Sequence, residues 1–315
     1  MSDSPASAPS EPPAVARAGS APPWTDLPYH RLAARWRRPG RWRPLLGIAL
    51  SGVLYATFLG VGIVTVAVAT VVAGVDPGVS DTLDLYRPAD FAFAMLAIIL
   101  LLPATLLGFR LAGCAPIGLL SSVAGRLRWR WMLRLTVPAL VVLVVALVAM
   151  AAFDPAWRGE GAPPPTRADR PALVAHVVLL VPLQAAAEEY VFRGTLAQTI
   201  GAWLRHPAWA ILLPVPLFVL GHDYDLPGQL SVGVFAVATG WITWRTGGLE
   251  AAIALHVVNN VAAMLLGALG RTDLNATDQG WVSGIVSAAI PVAFAWWADR
   301  IWRRSASTQS RRMRR

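Results

Sequence analysis

Apolar runs recur along the chain at about 45–74, 91–109, 135–153, 171–203, 208–222, 230–244, 249–268 and 281–299. A helix needs about 20 residues, within a range of about 17–25, to cross a bilayer's hydrocarbon core. Most of these runs therefore predict membrane-crossing helices. The runs at 208–222 and 230–244 are short and predict partial spans bracketing a polar stretch, His222 to Gln229 (HDYDLPGQ). Polar backbone is tolerated at membrane depth only where it is buried in protein or faces water. The pattern predicts an all-α, polytopic membrane helical bundle of about eight transmembrane helices, two of them short or partial.

Composition agrees. Apolar residues make up 56% of the 315 residues and mean hydropathy is +0.53, above the roughly 45–50% apolar content of soluble domains. The net charge of +9 at first suggests nucleic acid, but its distribution changes that reading. Every one of the 27 basic residues is arginine, and they cluster at both ends and in one internal loop, beside apolar spans. If the N-terminus is cytoplasmic and the chain alternates, the outer loops hold only Arg87, Arg158, Arg167, Arg170 and Arg271, and with Arg193 set aside the rest fall inside. Acids such as Asp76, Asp84, Asp154 and Asp273 collect outside. This is a positive-inside bias with both termini cytoplasmic. The partners expected are the lipid bilayer and a membrane-associated protein or peptide substrate, with no nucleic acid. Absence of lysine with abundant Ala and Arg fits a GC-rich bacterial gene.

The expected division is a disordered basic cytoplasmic tail at 1–43, N-terminal scaffold spans at 44–157, an extracytoplasmic linker at 158–170, a working core at 171–302 and a basic cytoplasmic tail at 303–315. Residues 1–25 are Pro/Ala/Ser-rich without apolar period. Residues 30–43 are basic with two tryptophans and suit a segment lying on anionic headgroups. The first run is about twice the usual signal-peptide core, so no cleaved signal peptide is expected. Cys114, the single cysteine, has no partner for a disulfide or a Cys-based metal site.

The three N-terminal spans carry almost no ionisable residues, whereas the fourth run contains Glu188-Glu189-Tyr190-Val191-Phe192-Arg193. A charge at the bilayer centre costs about 2.5–3.5 kcal/mol on insertion scales, so such residues face a protein interior. Glu189 and Arg193 are four apart and share one helical face, while Glu188 points elsewhere and lacks a built-in partner. Phe218-Val-Leu-Gly-His222 closes the fifth run, and His256-Val-Val-Asn259-Asn260 lies in the seventh with His256 and Asn260 on one face. At about 1.5 Å per residue, Glu188 lies about 22 Å from Trp203, His222 about 21 Å from Ala208, and His256 and Asn260 about 10 and 16 Å from Leu249. Three helices can bring these groups into one cavity.

Taken singly, an intramembrane His or Asn is often interhelical glue, and a Glu–Arg pair can simply pin two helices. Together, two Glu, an Arg, two His and an Asn at compatible depths read as a site. Zinc is the chemical rival, since two His and two Glu are possible ligands; yet there is no H-E-x-x-H, and the fixed charge of Arg193 works against a cation. A cysteine or serine nucleophile is not supported, because Cys114 lies in the other half and no Ser lies near either His in the motif helices. What remains is a water activated by a carboxylate and a His, with oxyanion donors at hand. No cofactor and no metal is expected. His176 reads as interfacial, and Asp223, Asp225 and Glu250 either tune the site or sit in loops.

The stretches EEYVFRGTL, FVLGH and GWITWRTGGLEAAIALHVVNN resemble the three motifs of the CPBP family of intramembrane glutamic endopeptidases, also called the CAAX protease or bacteriocin-processing (Abi) family, which includes type II CAAX prenyl endopeptidases. The family's patterns E-E-x-x-x-R, F-x-x-x-H and H-x-x-x-N all occur here in order, over roughly 170–270. The resemblance implies that Glu188 is the general base, that His222 helps hold and activate the water, that His256 and Asn260 form the oxyanion hole, and that Glu189 and Arg193 orient the site, in a water-filled cavity open to the cytoplasm. It departs from the family pattern at Glu250, where an apolar or aromatic residue is frequent, and in the acidic Asp223-Tyr224-Asp225 after His222. Prenylated substrates are not implied, since many bacterial relatives have none. The alternatives are a non-catalytic immunity or scaffold protein of the same fold and a transporter with a midplane proton relay.

Overall fold

A computed structural model describes residues 27–35, 40–74, 78, 83–114, 116–154, 157 and 166–312. The expected disorder of residues 1–25, positions 158–165 of the linker and the last three residues of the C-terminal tail lie outside the described residues. Among the described residues the chain is all-helical. Eight helical segments follow one another: α1 Arg43–Ala73, α2 Pro88–Leu111, α3 Trp129–Phe153, α4 Arg170–Trp203, α5 Pro207–Leu220, α6 Leu226–Thr246, α7 Glu250–Ala268 and α8 Trp281–Arg312. Seven of them are long and apolar enough to cross a membrane, and α5 is the short one.

The run at 230–244 therefore differs from its expectation as a partial span. It grows to the 21 residues of α6 because the polar Leu226–Gln229 end is helical too. Asp225 caps that end by accepting from the Gly228 N–H at 3.0 Å, and Pro227 suits the first turn, where its missing N–H is no loss. Only α5 stays short. Leu213 and Pro214 divide it into Pro207–Leu212 and Val215–Leu220.

Contacts between helix ends fix the direction of every pass. At one end of the bundle, Arg43 Nη1 donates to the Ala112 carbonyl, Tyr29 Oη to Leu120 and Gln198 Nε2 to Leu119. His30 Nε2 lies 3.0 Å from the Arg205 carbonyl, Arg128 pairs with Glu250, and Arg245 with Asp299. At the other end, the Asn275 amide donates to Asp84, Tyr86 Oη to the Thr272 carbonyl, Ser283 to Asp154, and the Gly280 N–H to Asp225. The chain alternates between these ends through all eight segments, α5 included, so the start of α1 and the end of α8 share the arginine-rich end.

Packing follows the rule for membrane interiors, where small residues let backbones approach. Ala251, Ala254 and Leu255 of α7 pack in one cluster with Leu135, Ile242 and Phe294 of α3, α6 and α8. A second cluster joins Phe91 and Met95 of α2 to Leu173, Val177 and Val181 of α4. Helix α1 stands at the rim, with Val61, Val64, Val68, Val71 and Val72 exposed as a lipid-facing helix requires.

Part of the stretch expected as a tail at 1–43 packs on the bundle. Tyr29–Arg35 forms a 3-10 helix, with Tyr29 and Leu32 buried against Phe109, Leu119 and Leu120. It sits directly on Gly201 of α4, where a Cβ would lie 1.8 Å from the His30 carbonyl oxygen. Buried apolar side chains, absent from a charge-and-tryptophan reading of the segment, hold it there.

Candidate active site

Helix α4 is not uniform. Tyr190–Leu196 is a π-helical turn placed directly after Glu188-Glu189. Such turns are rare inside α-helices and are frequent at functional sites. Across it, Arg193 Nη1 reaches Glu189 Oε1 at 3.1 Å, the pairing that the four-residue spacing predicts. Glu189 is fully buried, and the guanidinium, also buried, lies 4.2 Å over the ring of Phe218 and 5.7 Å from that of Phe235. These faces receive a cation favourably where water does not reach. Phe218 thus has a job that its place in the F-x-x-x-H pattern signalled but that the reading of His222 alone missed.

Helix α7 enters from the opposite side. Its start is pinned by the loop before α3: Arg128 donates to Glu250 from Nε at 2.8 Å, from Nη2 at 2.6 Å and from its backbone N–H at 2.8 Å. Arg128 Nη1 also donates to the Thr246 carbonyl. The acid that departs from the family pattern at position 250 thus has its own partner. The α6–α7 turn uses Gly247 in a left-handed conformation, φ 73°, which costs a glycine no strain, and pairs with Val123 and Ser121 through backbone hydrogen bonds. This register carries His256 between the two glutamates. Its Nδ1 is 2.7 Å from Glu189 Oε1 and its Nε2 is 3.5 Å from Glu188 Oε2. A ring nitrogen facing a carboxylate at 2.7 Å carries the proton, so Nδ1–H donates to Glu189. Nε2 can then donate only from the doubly protonated ring.

Glu188 differs from its neighbour. It is 9% exposed, and among the described residues no protein group donates a hydrogen bond to it; the contact with His256 is too long to be one. Its carboxylate is free to accept from water. His222 is half-buried at the end of α5. Its Nδ1 lies 2.8 Å from the Phe218 carbonyl, so Nδ1 is the protonated nitrogen and Nε2 of the neutral ring is an acceptor. Among the described residues no hydrogen bond or ion pair joins His222 to either glutamate. It belongs to the site through rings: Phe218 is 4.7 Å from His222 and 6.4 Å from His256, and Phe235 is 5.0 Å from His256.

Asn260 lies one turn beyond His256, as the spacing predicts. Its Nδ2 donates to Gln184 Oε1 at 3.3 Å, and its Oδ1 accepts from Asn259 Nδ2 at 3.2 Å. Gln184 was missed in the sequence. The signal was its place four residues before Glu188, on the same face of α4. The loop after His222 also approaches. The Tyr224 residue is 41% exposed, and its phenol is pushed above the ordinary value by partial desolvation first and by the Glu188 carboxylate second.

Other polar residues fall elsewhere. His176 stacks on Phe91, ring centroids 6.5 Å apart, two turns before Gln184. Asp223 is exposed. Asp225 ties α6 to the loop before α8; burial raises its pKa, but the N–H groups of Gly228, Gly280 and Gln279 outweigh that and hold it below the usual value. Among the described residues, no group of three or more His, Cys, Asp or Glu side chains is placed to hold a metal ion.

The fold and this cluster define a multi-pass helical membrane protein with a buried Glu–Glu–Arg–His constellation inside the bundle. Residues 170–262 match the family model described as Rce1-like, type II CAAX prenyl endopeptidase Rce1-like. That match covers α4 to the middle of α7 and holds every residue of the cluster, so over this stretch the chain is similar to the CAAX protease family. Among curated proteins, the uncharacterized protein YyaK of Bacillus subtilis strain 168 is 31% identical over 96 residues, 28% of this chain and 32% of that protein. The alignment thus spans about a third of the length of the curated relative. No solved structure matches.

Proposed function

We propose that the protein is an intramembrane glutamic endopeptidase that hydrolyses a peptide bond of a membrane-associated substrate. Glu188 takes a proton from a water that the Nε2 lone pair of His222 also holds. The water oxygen bonds to the scissile carbonyl carbon, and negative charge develops on the carbonyl oxygen. His256, doubly protonated, and Asn260 donate to that oxygen. Glu188 then returns its proton to the leaving nitrogen as the C–N bond breaks. Glu189 and Arg193 act through His256: the carboxylate fixes the ring by Nδ1, and the guanidinium holds the carboxylate.

The single observation that carries this reading is the contrast between two adjacent glutamates. Glu189 is sealed in and doubly engaged, at 3.1 Å by Arg193 and 2.7 Å by His256. Glu188 reaches the accessible side with no protein donor among the described residues. One is built to hold and the other to take a proton, and a base must reach the proton it abstracts. Arginine-rich ends face the cytoplasm, so both termini are assigned there and the 158–170 loop outside.

The test is cleavage of membrane-anchored peptides by the purified protein in proteoliposomes, beside Glu188→Ala. Cleavage by the wild type alone is expected, unchanged by EDTA. Equal behaviour of the two proteins would overturn the peptidase reading. Loss with EDTA and recovery with zinc would replace the glutamate mechanism by a metal one.

A further inference from the structure

One buried polar group is left over from the mechanism above. Gln184 is 4% exposed. It lies one turn before Glu188 on α4, as Asn260 lies one turn after His256 on α7. The Gln184–Asn260 contact is therefore a second rung between these two helices, next to the rung made by Glu188 and His256.

The three amides on this rung point one way. Asn259 Nδ2 donates to Asn260 Oδ1, and Asn260 Nδ2 donates to Gln184 Oε1. The series ends at Gln184 Nε2, which makes no hydrogen bond to the protein among the described residues and is not one of their sealed, unpartnered polar atoms, so it keeps an accessible edge. An amide nitrogen with no protein acceptor and an accessible edge is a donor available to a bound group. Packing alone would be served as well by an apolar side chain of the same length, and holding Asn260 requires only an acceptor. The Nε2 donor is surplus to both. Its position is specific: it is separated from Asn260 Nδ2 by one hydrogen bond and one amide group, so both nitrogens can aim at a single oxygen atom. Chains of hydrogen bonds polarise one another, which strengthens the terminal donor.

We propose that Gln184 is a further oxyanion donor, with Nε2 converging with Asn260 Nδ2 on the scissile carbonyl oxygen of a peptide substrate while Oε1 orients the Asn260 amide. This rests on the endopeptidase reading. It gives the site three side-chain donors on two helices, and it places the reacting carbonyl on the Gln184 side of Glu188.

The experiment compares Gln184→Met, which keeps length and loses both polar atoms, with Gln184→Glu, which keeps an acceptor for Asn260 and loses the donor. Each is made in the wild-type chain and in Asn260→Ala. Values of kcat and KM on a cleaved membrane peptide are read together with the melting midpoint. Removing an oxyanion donor typically costs about 10²–10³ in kcat. Both variants are expected to lose about that much kcat with KM little changed, and Gln184→Met is expected to lower kcat further when Asn260 is already alanine. A residue that only orients Asn260 has nothing left to orient in that background. No further loss there, or full kcat in Gln184→Glu, overturns the proposal. If Gln184→Met does not fold, the Gln184→Glu comparison decides alone. A wild type that cleaves no better than Glu188→Ala refutes the endopeptidase reading, and this inference with it; a wild type that cleaves, with Gln184 variants that match it, refutes this inference only.

Discussion

Replacing either glutamate by glutamine keeps shape and removes charge, and the structure makes the two replacements unequal. Glu189 is 0% exposed, and its Oε1 receives both the Arg193 guanidinium and the His256 Nδ1–H. Arg193 is 4% exposed, and its Nη2 has no hydrogen bond among the described residues, so once Glu189 is neutral only the more distant Glu188 carboxylate faces its charge. Breaking a buried ion pair by removing one partner costs about 3–5 kcal/mol, mostly because a charge is left buried alone. The phenylalanine faces of 218 and 235 return only about 1–2 kcal/mol of that. Glu188 has one ion contact, at 3.5 Å, and an accessible edge. At that length the contact is not a hydrogen bond, so losing it costs far less than breaking the Glu189 pair. At about 2–4 °C per kcal/mol, Glu189→Gln should melt of order 10 °C below Glu188→Gln in the same detergent. Thermal unfolding followed by monodisperse fraction is the assay, with peptide cleavage read in parallel. Glu188→Gln is expected to be folded, near wild-type in midpoint and inactive. Glu189→Gln is expected to lose expression, midpoint and activity together. The reverse order would show that the base and the clamp have been assigned the wrong way round.

Asn260→Ala is expected to lower kcat by about 10²–10³ with KM little changed, because its bond strengthens only as the oxyanion forms; a KM effect at constant kcat would make it a ground-state binding residue instead. Gly201→Ala puts a Cβ where the His30 carbonyl oxygen lies, so it should release Tyr29–Arg35 and destabilise by about 1–3 kcal/mol, the cost of overpacking; new protease cutting after Arg31 checks this, and unchanged protection would count against that packing. Cysteines placed in the 158–170 loop, in a chain whose one native cysteine, Cys114, is buried, should react with an impermeant reagent on intact cells. Labelling only after permeabilisation would reverse the orientation.

Much of the constellation was legible in the chain. The Glu189–Arg193 and His256–Asn260 spacings survive folding because a helix turns by about 100° per residue whatever surrounds it. Even the π turn left Arg193 within reach of Glu189. The eight segments were legible for the same local reason, since a run of apolar residues can satisfy its backbone in lipid only as a helix. The short reading of 230–244 failed because apolar content stops before the helix does. A capped, proline-led first turn extends it over polar residues.

The sequence by itself therefore determined the helices, their order, the charged motif inside the fourth run and which residues of each motif share a face. It left open how each helix is turned about its axis and how far it slides past its neighbour. Those two choices put His256 between both glutamates, Gln184 against Asn260, Phe218 under Arg193 and Arg128 onto Glu250. None of these pairs is closer than 25 residues in the chain, and none follows from local geometry. They are set by where small residues let backbones approach, by the Gly247 turn and by the need of each buried charge for a partner. Only the assembled bundle satisfies all of these at once.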